Sequence, residues 1–150
     1  MKKRGFWSLF LLVLLLPLTG CFTPVKNEIP LVIGDLHRIP DSTNDTKLVI
    51  FNTSNPVLYG ADGSSRINVK LNGKGLGQLN FGQYAEVIMP KGKCRVDMQH
   101  LDMFRFSSVR WLDLNDPESF VEIFATPTSN EAKLCPELPP DFETKYDGIH

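Results

Sequence analysis

The chain is poor in the residues that carry chemistry. Its 150 residues hold three cysteines and three histidines, and His37, His100 and His150 are scattered. No two cysteines stand at C-x-x-C spacing, so neither a metal site nor a cofactor is expected. His100, Asp102, Ser107 and Ser108 lie close in sequence, but no G-x-S-x-G elbow surrounds either serine, and an enzyme is not expected. The carboxylate pairs Asp113 with Asp116 and Asp141 with Glu143 fall on a turn and on the C-terminal stretch, where solvated carboxylates are the rule. Gly73, Gly75 and Gly77 open no helix, as a phosphate loop must. Helical periodicity is not sustained anywhere. Basic charge is short as well: three of the 16 basic residues (Lys2, Lys3, Arg4) lie in the first twenty positions, leaving 13 against 17 acidic, about −4. Nucleic-acid binding needs clustered cations to displace counterions from phosphates, and is set aside.

The N-terminus has a clear layout. Lys2, Lys3 and Arg4 precede an apolar run from Phe6 to Leu18, broken only by Ser8 and Pro17. That run is short of the roughly 20 apolar residues a spanning helix needs, and it matches an export signal better than a transmembrane anchor. Leu18-Thr19-Gly20-Cys21 follows, and it resembles the lipobox of bacterial lipoproteins. The resemblance implies cleavage after Gly20, a diacylglycerol on the Cys21 sulfur and acylation of the new amine. Several acyl chains, each buried methylene contributing about 0.8 kcal/mol, hold a protein stably where one chain is marginal. Phe22 stands where lipoproteins retained at the inner membrane usually carry Asp, so the resemblance favours the periplasmic face of the outer membrane over the inner membrane.

With Cys21 assigned to lipid, Cys94 and Cys135 remain, in an oxidising compartment. A disulfide between them is the expectation. It would close a loop of 41 residues, the difference 135 − 94, which chain entropy values at about 4 kcal/mol. It would also fasten the C-terminal stretch to the sheet.

Composition, 42% apolar and 22% charged, fits one globular domain. The expected division is a signal peptide at 1–20, a lipidated tether and first loop at 21–46, a β domain at 47–126 and an extended proline-rich tail at 127–150. Within the tether, Leu31 to Ile39 could supply a first strand. Lys47 to Asn52 is β-branched and aromatic, and Asn52 to Ser65 is rich in turn residues. Ile67-Asn68-Val69-Lys70-Leu71 alternates into Asn72-Gly73, which predicts a two-residue type I′ hairpin with Val69 opposite Leu76. Leu76 and Leu79 break parity, and a bulge near Gly77 would restore it. Gln83 to Met89 and Lys93 to His100 follow, the latter with Cys94, Val96 and Met98 on one face. Met103 to Leu114 reads as a strand kinked at Ser107-Ser108, and Ser119 to Ala125 as the last. The fold predicted is all-β, a small antiparallel sandwich or partly open barrel of about seven strands.

Two stretches, Ile67-Asn68-Val69-Lys70-Leu71-Asn72-Gly73-Lys74-Gly75-Leu76-Gly77-Gln78-Leu79 and Gly82-Gln83-Tyr84 through Pro90-Lys91-Gly92-Lys93, resemble the PEGA-type hairpin repeat and related uncharacterised envelope lipoproteins. The resemblance implies a small β-sandwich and brings no catalytic residues. Cys94 departs from it, standing where those families often carry a polar or aromatic residue. Phe120 and Phe124 share a face with Glu122, and Phe104 and Arg105 extend the aromatic and arginine theme. Such side chains anchor protein interfaces. The function expected is therefore a membrane-anchored accessory or assembly factor that binds an envelope protein through Phe104, Arg105, Phe120 and Phe124. A carrier or sensor of a small glycan or lipid fragment is the alternative, and it would need an apolar pocket between the sheets.

Overall fold

A computed structural model describes residues 23–32, 40–57, 65–101 and 105–149. The chain forms two sheets face to face and no closed barrel. Nine strands are described where about seven are predicted: β1 (Asp45–Asn52), β2 (Ile67–Leu71), β3 (Lys74–Leu79), β4 (Gln83–Pro90), β5 (Gly92–Leu101), β6 (Arg105–Leu114), β7 (Glu118–Thr126), β8 (Ser129–Cys135) and β9 (Asp147–Gly148). One short helix, α1 (Phe142–Lys145), precedes β9. The five-stranded sheet runs β8-β7-β1-β4-β9 and the four-stranded sheet β3-β2-β5-β6. Pairing is antiparallel except between β1 and β7 and between β4 and β9. The first sheet is therefore mixed rather than antiparallel throughout.

Alternation builds the core. Leu48 and Ile50 of β1, Val87 of β4, and Val121 and Ile123 of β7 meet Ile67, Val69 and Leu71 of β2 and Cys94, Val96 and Met98 of β5. The Asn72-Gly73 turn forms as its chemistry demands, with φ of 51° and 83°, a pair of left-handed conformations that glycine and asparagine tolerate. The parity break in β3 is absorbed by a bulge. Lys70 pairs with Gly75 and Val69 with Gly77, so Leu76 is the extra residue, not the partner of Val69. Leu76 and Leu79 are thereby both fully buried. No kink divides β6, which pairs with β5 without a break from Arg105 to Leu114.

The segment 127–150 is not an extended tail. Its first part is β8, paired along β7 from Ser129 to Cys135. The rest crosses the outer face of the five-stranded sheet and returns as β9 beside β4. Phe142 and Tyr146, one helical turn apart, settle on Phe51 with ring centroids 5.4 Å away in each case. This lid explains why β1 is buried on both faces.

The disulfide expected between Cys94 and Cys135 is absent, and both thiols are free. Cys94 points into the space between the sheets, whereas Cys135 packs beneath the lid on the far side of the five-stranded sheet. Strand parity places the sheet itself between the two sulfurs.

The residues expected to form a tether also take a different course. From Thr23 onward they lie on the domain: Asn68 receives the Val25 amide on Oδ1 (3.2 Å) and donates from Nδ2 to the Thr23 carbonyl (3.1 Å). The Glu28 amide donates to the Gly75 carbonyl, and the Gly75 amide to the Glu28 carboxylate. Leu31 and Val32 are not strand, although the Val32 amide donates to the Glu86 carbonyl. The remainder of that predicted strand, and Cys21 itself, lie outside the described residues.

Candidate functional site

Each sheet has an outer face, and the two differ in what covers them. On the five-stranded sheet, Val49, Phe51, Tyr84 and Phe120 point outward and receive Leu138, Phe142 and Tyr146 from the lid. The aromatic rings pack edge-on and stacked, Phe142 and Tyr146 lying 4.7 Å apart at 18°. Burial, and the nearby Glu86 carboxylate, push the Tyr84 hydroxyl above its ordinary pKa. Where the lid meets β7 it leaves an open groove of about 430 Å3, floored by Phe120, Leu138 and Phe142 and rimmed by Glu118, Asp141, Glu143 and Thr144. Glu118 also pairs at 2.6 Å with Lys47, which is only 1% exposed. Asp141, in the left-handed conformation before α1, stands 3.7 Å from Lys145.

Among the described residues, only the N-terminal segment lies on the outer face of the four-stranded sheet, along β2 and β3, and nothing covers β5 and β6. Lys70, Lys93, Arg95, Asp97, Gln99, Arg105, Ser107, Val109, Trp111 and Asp113 alternate outward along β2, β5 and β6. Trp111 is 64% exposed and Val109 42%. Arg95 grips Asp97 through Nε (3.0 Å) and Nη2 (2.6 Å). The N-terminal segment forms one wall of an open groove of about 510 Å3 that runs past Val25, Lys70, Gln99 and Ser107.

The four residues expected to form a partner surface are not brought together. Phe104 lies outside the described residues. Arg105 is exposed at the start of β6, on the four-stranded sheet. Phe120 floors the lid groove, and Phe124, farther along β7, is half-buried with the Lys133 ammonium 5.3 Å from its ring centre. Phe120 and Phe124 do share the outer face with Glu122, as alternation predicts. Trp111 and Phe142 are the aromatic residues that the expected set leaves out, although Trp111 follows Ser107 and Val109 at period two.

Catalytic geometry is not assembled by the residues described. His100 is 1% exposed and points inward, stacked on Phe106 at 5.0 Å, while Ser107 points outward and accepts from Gln99. The His100 Nδ1 donates to the Asn130 Oδ1 at 2.6 Å, and Asn130 Nδ2 reaches the Met98 and Phe106 carbonyls. The imidazole thus ties β5 and β6 to β8 across the sandwich. Ser108 Oγ donates to the Asn130 carbonyl. Arg110 closes the same edge on Glu131, and that bond holds the Glu131 carboxyl below its ordinary pKa. Asp113 and Asp116 are solvent-exposed. Among the described residues no group of three or more His, Cys, Asp or Glu side chains could hold a metal ion, and no helix is long and apolar enough to cross a membrane.

No family model, no curated protein and no solved structure matches this chain.

Proposed function

We propose that the chain is a lipoprotein of the bacterial envelope, without catalytic activity, that serves as an accessory or assembly factor by holding a protein partner. The signal at 1–20 is removed and Cys21 carries the lipid, at the periplasmic face of the outer membrane. The observation that carries the reading of partnership is the groove between β7 and the lid: an apolar floor of Phe120, Leu138 and Phe142 inside a rim of carboxylates. That combination fits a partner segment offering an apolar anchor flanked by Lys or Arg, the anchor supplying affinity and the charges orientation. The interior supports this over a small-ligand carrier. Side chains of both sheets interdigitate there, with Ile50, Val69, Val96 and Ile123 fully buried, whereas the two grooves described lie on the outside.

The test places a photo-crosslinking residue at Thr144 and another at Gln99, in intact cells. One envelope protein captured from Thr144 and not from Gln99, in amounts that drop severalfold with Glu143→Lys, is the expected result. A glycan or lipid fragment that co-purifies, with no protein captured, would move the reading to a carrier. Cys21→Ser should release the protein from membranes and leave its fold intact, and unchanged fractionation would sink the anchoring.

A further inference from the structure

We infer that the outer face of the four-stranded sheet rests against the anionic headgroups of the membrane that anchors the chain. The inference rests on the lipidation of Cys21 proposed above. Its first support is the N-terminal segment. Thr23 and Val25 are pinned by Asn68, which points outward from β2 in the same row as Gln99 and Ser107. Cys21 precedes Thr23 by two residues, so its Cα can stand at most about 7 Å from that of Thr23. A lipid on Cys21 therefore leaves the domain beside this face, with almost no slack to turn it away. Gly75 secures the arrangement, because a Cβ there would lie 2.1 Å from the Lys26 carbonyl oxygen and 2.7 Å from Val25 Cγ1.

Charge is the second support. Lys70, Lys93, Arg95 and Arg105 face outward against Asp97 and Asp113, a positive excess on a chain that is about −4 beyond residue 20. Basic side chains close to an anionic leaflet are attracted to it. Trp111 and Val109 supply the apolar contact, and an indole prefers the headgroup level, where its ring is buried and its N–H stays wet. The lid groove faces the other way, from the opposite sheet, which leaves it open to a periplasmic partner.

Tryptophan occurs only at positions 7 and 111. In the full chain carrying Trp7→Phe, Trp111 is thus the sole indole whether or not the signal has been removed. The protein is produced in a lipoprotein-competent bacterium, its mass read for lipid on Cys21, and reconstituted into vesicles of phosphatidylethanolamine and phosphatidylglycerol with brominated acyl chains. Quenching of Trp111 is expected. It should weaken in phosphatidylcholine vesicles, in high salt, and with Lys70→Gln and Lys93→Gln, each lowering the docked-to-undocked ratio about fivefold. A lipidated, vesicle-bound protein whose Trp111 ignores bromine overturns the inference and leaves the anchoring intact, as does a protein crosslinked from Gln99 in cells. A mass without lipid on Cys21 overturns the anchoring, and the inference with it.

Discussion

The outer faces of the two sheets begin from the same local rule and end differently. Both arise from period two, which sends successive side chains of a strand to opposite faces of its sheet. On β1 the outward positions are Val49 and Phe51, which must be covered, and the chain covers them with Leu138, Phe142 and Tyr146 from its own C-terminus. On β5 and β6 the outward positions are mostly charged or polar, and none of the described residues forms a lid over them. The comparison shows that an antiparallel sheet can face water on one side only where its outward residues permit it. Trp111 and Val109 are the exception on the open face.

The largest effect is expected at the lid. Phe142 is buried and touches Phe51, Tyr84 and Tyr146. Phe142→Ala should cost about 3–5 kcal/mol, measured by urea unfolding, and should raise amide exchange at Asp147 and Ile149, whose N–H groups donate to Gly82 and Tyr84. A loss below 1 kcal/mol would mean that the lid only decorates the sheet.

The thiols sharpen the contrast between interior and surface. Burial pushes the Cys94 thiol up from 9.0 to about 11, so near pH 8 its thiolate should be about a hundredfold scarcer in the fold than in the unfolded chain. Alkylation of Cys94 should be suppressed at least that much until denaturant is added. Without reductant, both Cys94 and Cys135 should then react; a chain that hides either from alkylation in denaturant would restore the disulfide. The protonated thiol favours the fold fully below pH 9, and that contribution fades as pH rises through about 11.

Smaller effects are expected at the open edge and the open face. Asn130→Ala leaves His100 and two strand carbonyls without their partner and should cost about 2 kcal/mol. Gly75→Ala should undock residues 23–31 at about 1–2 kcal/mol, seen as faster exchange of the Glu28 amide while the core amides stay protected. Trp111→Ser should change stability by less than about 0.5 kcal/mol, because an exposed side chain has little packing to lose. A large loss there would show that the face is not open.

Several parts of the fold were legible from local chemistry. Asn72-Gly73 specified its turn, the misplaced parity of Leu76 and Leu79 called for the bulge, and period two put Cys94, Val96 and Met98 inward. Prolines misled. Pro127, Pro136, Pro139 and Pro140 bracket β8 and open the lid without preventing either, since proline is excluded from strand interiors but tolerated at their ends. The lid was illegible for another reason: α1 spans four residues, too few to show a helical period, and Phe142 has meaning only once Phe51 lies beneath it. Of the site, Phe120 was found from alternation with Phe124, while Leu138, Phe142 and the carboxylate rim became visible only when the C-terminus folded back.

By itself, the sequence determined the β class, the positions of most strands and the face that most side chains take along a strand. Those properties depend on neighbours a few residues apart, which backbone geometry and turn chemistry relate directly. The tertiary structure alone decided that β8 and β9 join the first sheet, that Cys94 and Cys135 lie on opposite sides of it, that residues 23–31 are strapped to the second sheet, and which outer face is covered. Each of those outcomes pairs residues far apart in sequence. Alternation offers every strand two faces, and only the arrival of a distant segment settles which of them water keeps.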